Sequence, residues 1–146
     1  MDIFSDEYFM RFAFKEAELA FAEDEVPVGA VVVIKNVVIA KAHNMTKRLQ
    51  DATAHAEMLA ITAANEYLGN KYLNDCTLYV TLEPCLMCAG ATFWSHIGRI
   101  VYAATDEKRG FTLLNPSPLH PKTQLLSGIL ETECGSLLKR YFAKKR

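Results

Sequence analysis

Two short stretches of this sequence carry residues that could do chemistry together: His55-Ala56-Glu57 and Pro84-Cys85-Leu86-Met87-Cys88. Each falls at an expected helix start, where the positive end of the helix dipole favours thiolate over thiol and so favours metal ligation. Cys85 and Cys88 are three residues apart, which puts both sulfurs on one helix face. With the His55 imidazole they make three protein ligands for a tetrahedral zinc, leaving the fourth position for water, as in a catalytic site. Such an ion lowers the pKa of its water toward neutrality. Glu57 stands two residues beyond His55, close enough to reach that water without ligating the metal, and a carboxylate there is the natural proton shuttle.

Plainer readings compete. A lone C-x-x-C also holds structural zinc, here completed by Cys76, Cys134, His43, His96 or His120, and a glutamate in a helix's first turn needs no function. The conjunction of H-x-E with P-C-x-x-C is the signature of zinc nucleobase deaminases, and the open fourth position weighs for a catalytic zinc.

The elements that must position these residues follow from periodicity. A helix is expected from about Ser5 to Ala22, with Phe9, Ala13, Ala17, Ala20 and Phe21 on one face and Ser5 as N-cap. Val31-Val32-Val33-Ile34 and Val37-Val38-Ile39-Ala40, split by Lys35-Asn36, read as a hairpin. A second helix is expected from about Thr53 to Tyr67, ending near Gly69. Thr77 to Leu82 reads as a central strand and Cys85 to Trp94 as a short helix behind Pro84. Arg99 to Ala103 is another strand, and Asn115 to Pro121 a proline-rich loop. Thr123 to Ser127 reads as a last strand and Glu131 to Phe142 as a closing helix. This order predicts an α/β domain, a helix-covered sheet with one antiparallel hairpin.

The 146 residues suit one domain spanning 1–146, and 51% hydrophobic content suits a folded core. No apolar run approaches about 18 residues, so no membrane association is expected. The start is acidic (Asp2, Asp6, Glu7) and lacks a secretory pattern. The expected location is cytoplasmic, with all four cysteines reduced and Cys76 and Cys134 as core thiols. A net charge of −1 does not advertise a nucleic-acid binder. The chain nonetheless closes on Lys139, Arg140, Lys144, Lys145 and Arg146, which suit either a helix C-terminus or phosphate contacts.

Around His55, Cys85 and Cys88 the sequence resembles the tRNA adenosine deaminases within the cytidine-deaminase-like superfamily. The resemblance is carried by Glu25-Val26-Pro27-Val28-Gly29-Ala30, His43-Asn44, Thr53-Ala54-His55-Ala56-Glu57, Leu78 through Cys85, Cys88-Ala89-Gly90 and Ile97 through Tyr102. It covers nearly the whole chain. It implies a three-layer α/β/α sandwich around a five-stranded mixed sheet, in a homodimer that converts adenosine to inosine at the wobble position of a transfer RNA. It also implies one Zn2+ per chain on His55, Cys85 and Cys88, with Glu57 moving protons. The substrate contacts it implies are Asn44, Val28, the backbone at Ala56 and Pro84, and Asp106 and Lys108 facing the anticodon loop. For Asn44 a simple turn role is the alternative. Arg140, Tyr141 and Phe142 resemble the family's aromatic-basic C-terminal helix, where aromatics either stack on splayed bases or anchor the helix.

The sequence departs from that pattern between Phe111 and Thr123, which is shorter and richer in proline, and at Ala52, where a proline often stands. The departing loop borders the substrate in the family. A deaminase of free guanine, cytosine or a small nucleoside is therefore the second expectation, and a non-catalytic zinc-stabilised binding module the third.

Overall fold

The computed structural model describes residues 3–145, so Asp2 and Arg146 of the charge reading lie outside them. The chain runs α1 (Asp6–Ala22), β1 (Gly29–Ile34), β2 (Val37–His43), α2 (Ala56–Leu68), β3 (Cys76–Leu82) and α3 (Leu86–Trp94). It continues through β4 (Arg99–Ala104), a 3₁₀ turn (Phe111–Leu113), β5 (Gln124–Ser127) and α4 (Glu131–Lys144).

The five strands form one sheet in the order β2-β1-β3-β4-β5. β1 is antiparallel to both β2 and β3, whereas β3, β4 and β5 are parallel. The hairpin forms because Lys35 and Asn36 both take positive φ, 49° and 63°, the tight turn whose twist matches the flanking strands. Both sheet faces are covered, which is why the strands read as unbroken apolar runs. Ala30, Val32, Leu78, Val80, Ile100 and Tyr102 pack with α2 and α3 on one face. Their neighbours Val31, Val33, Tyr79, Val101 and Ala103 pack with Phe9, Met10, Ala13 and Cys134 of α1 and α4 on the other. This is the expected three-layer sandwich.

Most boundaries follow the sequence pattern, including Ser5, whose hydroxyl accepts from the Tyr8 N–H at 3.1 Å. α2 differs, starting at Ala56 rather than near Thr53. Asp51 Oδ1 accepts from both the Thr53 N–H (2.9 Å) and hydroxyl (2.7 Å), a local turn that competes with helix.

Strand direction decides where a site can form. The carboxyl ends of β2, β3, β4 and β5 lie at one edge of the sheet, beside the start of β1. In open α/β sheets the crevice outside those ends is where ligands bind. At the opposite edge Asp6 ties α1 to the sheet, its carboxylate accepting two 2.7 Å bonds from Arg99 and one of 2.7 Å from the Tyr79 hydroxyl.

Candidate metal centre

The loops at the carboxyl edge deliver two helix starts to one place. His55 is the N-cap residue of α2 and Cys85 that of α3, both in extended backbone, and neither side chain caps its own helix. Each is therefore free to turn toward the other. Cys88, in the first turn of α3, joins them from the same face. His55 Nδ1 lies 3.7 Å from Cys85 Sγ and 3.5 Å from Cys88 Sγ.

Those separations fit a metal. A tetrahedral zinc bonded at about 2.3 Å to sulfur and about 2.0 Å to nitrogen holds such donors about 3.5 Å apart. Among the described residues these three form the sole cluster of histidine, cysteine or acidic side chains of this kind, their ligating atoms within 4.8 Å of one another. Cys76, Cys134, His43, His96 and His120 do not join it, so the structural-zinc completions considered above do not form. Hydrogen bonds to Cys88 and then His55 hold the Cys85 thiol down at about 3, while the bond to Cys85 and then burial push Cys88 far up. With the sulfurs this close, only one is charged until a positive ion joins them.

Glu57 follows on the first turn of α2, 4% exposed. Burial, its largest influence, raises its carboxyl to about 7, and it is no member of the ligand cluster. It stands beside the metal triad rather than in it.

The other expected site residues fall along the same edge with different freedoms. Asn44 is 8% exposed, and its Oδ1 accepts from the Ala56 N–H at 2.8 Å. Its Nδ2 has no protein partner among the described residues, yet no buried polar side-chain atom there goes unsatisfied, so Nδ2 faces outward. Val28 is a core residue whose N–H and carbonyl are both engaged, with Val26 O and Asn44 N. The Pro84 carbonyl accepts from the Phe111 N–H at 3.0 Å. Asp106 is half-buried and Lys108 exposed, in the loop after β4. His43 turns away between Glu16 (3.0 Å) and Glu23 (3.1 Å). Burial lowers its pKa, but those two hydrogen bonds outweigh it and leave it raised.

The closing helix divides its aromatics. Tyr141 is 5% exposed and donates to Asp24 O, an anchor, whereas Phe142 is 47% exposed. Arg140 and Lys144 lie over the Phe21 ring, and Lys145 pairs with Asp24.

Sequence reasoning passed over two buried carboxylates, Glu25 and Glu83, taking them only as parts of a motif. Glu25 accepts from the Lys47 N–H (3.1 Å) and Arg48 N–H (2.9 Å), fixing the loop that leads to His55. For Glu83 the available signal was an acidic residue inside an apolar stretch, since buried charge needs dedicated donors, whereas Glu25 closes the acidic run Glu23-Asp24-Glu25 and carried no such signal.

The pattern that supplies this site is shared. The model of the cytidine and deoxycytidylate deaminase zinc-binding region matches residues 4–104. The chain belongs to that family. It is a zinc-binding deaminase, and its fold is the cytidine deaminase-like one. The chain is 44% identical over 146 residues to a tRNA-specific adenosine deaminase of Bacillus subtilis (strain 168), covering 97% of this chain and 91% of that one. A solved structure from a study of A-to-I editing by tRNA deaminases at the wobble position superposes with a TM-score of 0.84. It is 42% identical, with 89% of this chain and 98% of that one covered. A guanine deaminase of Nitrosomonas europaea superposes with a TM-score of 0.82 at 25% identity, covering 95% and 85%. The sandwich therefore serves more than one substrate among these deaminases.

Proposed function

We propose that this deaminase hydrolyses adenosine to inosine at the wobble position of a transfer RNA. The observation that carries the chemistry is Glu57, a buried carboxyl that burial raises, two residues from a member of the His55-Cys85-Cys88 triad. His55, Cys85 and Cys88 would hold a zinc ion, which when bound would supply a water acidic enough to lose a proton near pH 7. Glu57 would take one proton from the attacking water and pass it to the ring nitrogen, then take the hydroxyl proton of the adduct and pass it to the departing amine, ending with the charge it began with. One water enters and one ammonia leaves.

Substrate identity rests on the rim and on likeness. Exposed Lys108 and Arg109 on the loop after β4 supply cations, whereas Lys47 and Arg48 on the loop after β2 are exposed but paired with Asp24 and Glu23. This suits an enzyme that must hold the flanking nucleotides of a splayed base. Identity of 42–44% to tRNA deaminases, against 25% to the guanine deaminase, points the same way. Asn44 Nδ2 then contacts the base or its ribose, Asp106 and Lys108 the anticodon loop, and the backbone at Val28, Ala56 and Pro84 frames the reacting centre.

We read residues 1–146 as one domain acting in the cytoplasm as a homodimer. Two core clusters on one continuous sheet support the first reading. Exposed Leu86 and Trp94 on α3, at 59% and 77%, support the homodimer. No helix among the described residues is long and apolar enough to cross a membrane.

The deciding experiment incubates purified protein with an anticodon stem-loop bearing adenosine at the wobble position and, separately, with guanine, cytosine and adenosine. Inosine in the stem-loop is the expected product. Ammonia from a free base with no inosine in the RNA assigns the chain to small substrates, and neither product assigns it to a binding role.

A further inference from the structure

Glu83 stands directly before Pro84 and Cys85, is 2% exposed, and pairs with no cation among the described residues. A buried carboxylate without a cation persists only where hydrogen-bond donors replace its water. Here every donor comes from the segment after β4. Oε1 accepts from the Asp106 N–H at 3.0 Å, and Oε2 from the Thr112 N–H at 2.8 Å and the Thr112 hydroxyl at 2.7 Å. Between them Gly110 passes so close that an added Cβ would overlap the carboxylate, so the approach requires glycine. Two backbone bonds close the same joint: Glu83 N–H to Ala104 O at 2.8 Å and Phe111 N–H to Pro84 O at 3.0 Å.

One side chain thus grips both ends of residues 106–112. Asp106 in turn folds the middle, its Oδ1 accepting from the Lys108 and Arg109 N–H groups at 3.0 Å each. The side chains left exposed in that middle are Glu107, Lys108 and Arg109, two cations and one anion. Closing a loop for stability needs only one such contact. Gripping both of its ends fixes its shape against the cysteine turn.

We propose that Glu83 is a positioning residue for the substrate. It locks segment 106–112 to the turn bearing Cys85, so that Lys108 and Arg109 stand at a set distance from the metal triad. This rests on the RNA reading given above. Loss of the lock weakens capture of the substrate and leaves the proton chemistry at Glu57 in place.

The test compares wild type, Glu83→Gln and Thr112→Val as zinc-loaded proteins on the anticodon stem-loop, recording kcat, KM, zinc content and Tm. Glu83→Gln turns an amide donor toward groups that themselves donate. Its KM is expected to rise about tenfold or more, the size of a lost charge-assisted hydrogen bond, with kcat within about threefold. Thr112 is exposed, so Thr112→Val folds as wild type, and it raises KM by a smaller factor, about threefold. A merely structural role instead lowers Tm and the zinc-loaded fraction, and so kcat, at constant KM, and that result overturns the proposal. If Glu83→Gln does not fold, Thr112→Val decides alone. If wild type makes no inosine, the substrate reading has failed separately, and amide hydrogen exchange then reads the lock. Faster exchange at Asp106 and Thr112 in Glu83→Gln upholds it; unchanged exchange sinks it.

Discussion

Asn44 Oδ1 accepts a 2.8 Å hydrogen bond from the backbone N–H of Ala56, the residue between His55 and Glu57. A side chain just after β2 therefore satisfies an otherwise unpartnered donor of α2 and ties down the start of the helix beside His55 and Glu57. The same amide keeps Nδ2 outward, so the observed structural role and the proposed substrate role belong to two ends of one group. Asn44→Ala should cost about 1 kcal/mol of stability, as for a lost helix cap, and lower activity as well. Asn44→Asp keeps the acceptor and removes the donor. Its thermal stability should stay near wild type while deamination falls about tenfold or more. Equal activity of Asn44→Asp and wild type would remove Asn44 from the list of substrate contacts.

Glu57→Gln should bind zinc as wild type does while kcat falls by about 10²–10⁴. His55→Ala and Cys88→Ser should lose the metal itself. Metal content by mass spectrometry beside product formation separates the two classes. A Glu57→Gln protein that lost zinc would make Glu57 a ligand after all.

The Asp6–Arg99–Tyr79 joint gives a stability test remote from the site. The Arg99 hydrogen bond, the largest influence, holds Asp6 below the usual carboxylate range against the effect of burial, helped by Tyr79. A lowered folded pKa means the contribution is complete above the unfolded value of about 3.9 and is lost as pH falls through the folded value. Asp6→Asn should therefore destabilise by about 1–3 kcal/mol at pH 7, with the gap to wild type closing below about pH 4. Urea melts at pH 7 and pH 3 measure it; a gap independent of pH would mean that charge plays no part.

Gly29 opens β1 beneath α1, and a Cβ there would strike the Ala13 carbonyl and the Ala17 nitrogen. Backbone cannot step aside as a side-chain tip can. Gly29→Ala should lose at least about 1–3 kcal/mol, read as a lower denaturant midpoint, while the folded fraction keeps its zinc. A midpoint equal to that of wild type would mean that α1 can shift away from the strand.

The metal triad, the placing of Glu57 beside it and the order of helices and strands were legible in the sequence. Residue type and close spacing set them: three residues on a helix place Cys85 and Cys88 together, and unbroken β-branched runs mark strands buried on both faces. Tertiary structure alone decided the rest, because those contacts join residues far apart in the chain. Asn44 meets Ala56 across the β2–α2 loop, and Glu83 grips Asp106 and Thr112. Both depend on parallel and antiparallel pairings that bring strand ends to one edge. Tyr141 and Phe142 show the limit most plainly. Both are aromatic neighbours on one helix, and only packing against Asp24 and Phe21 made one an anchor and left the other exposed.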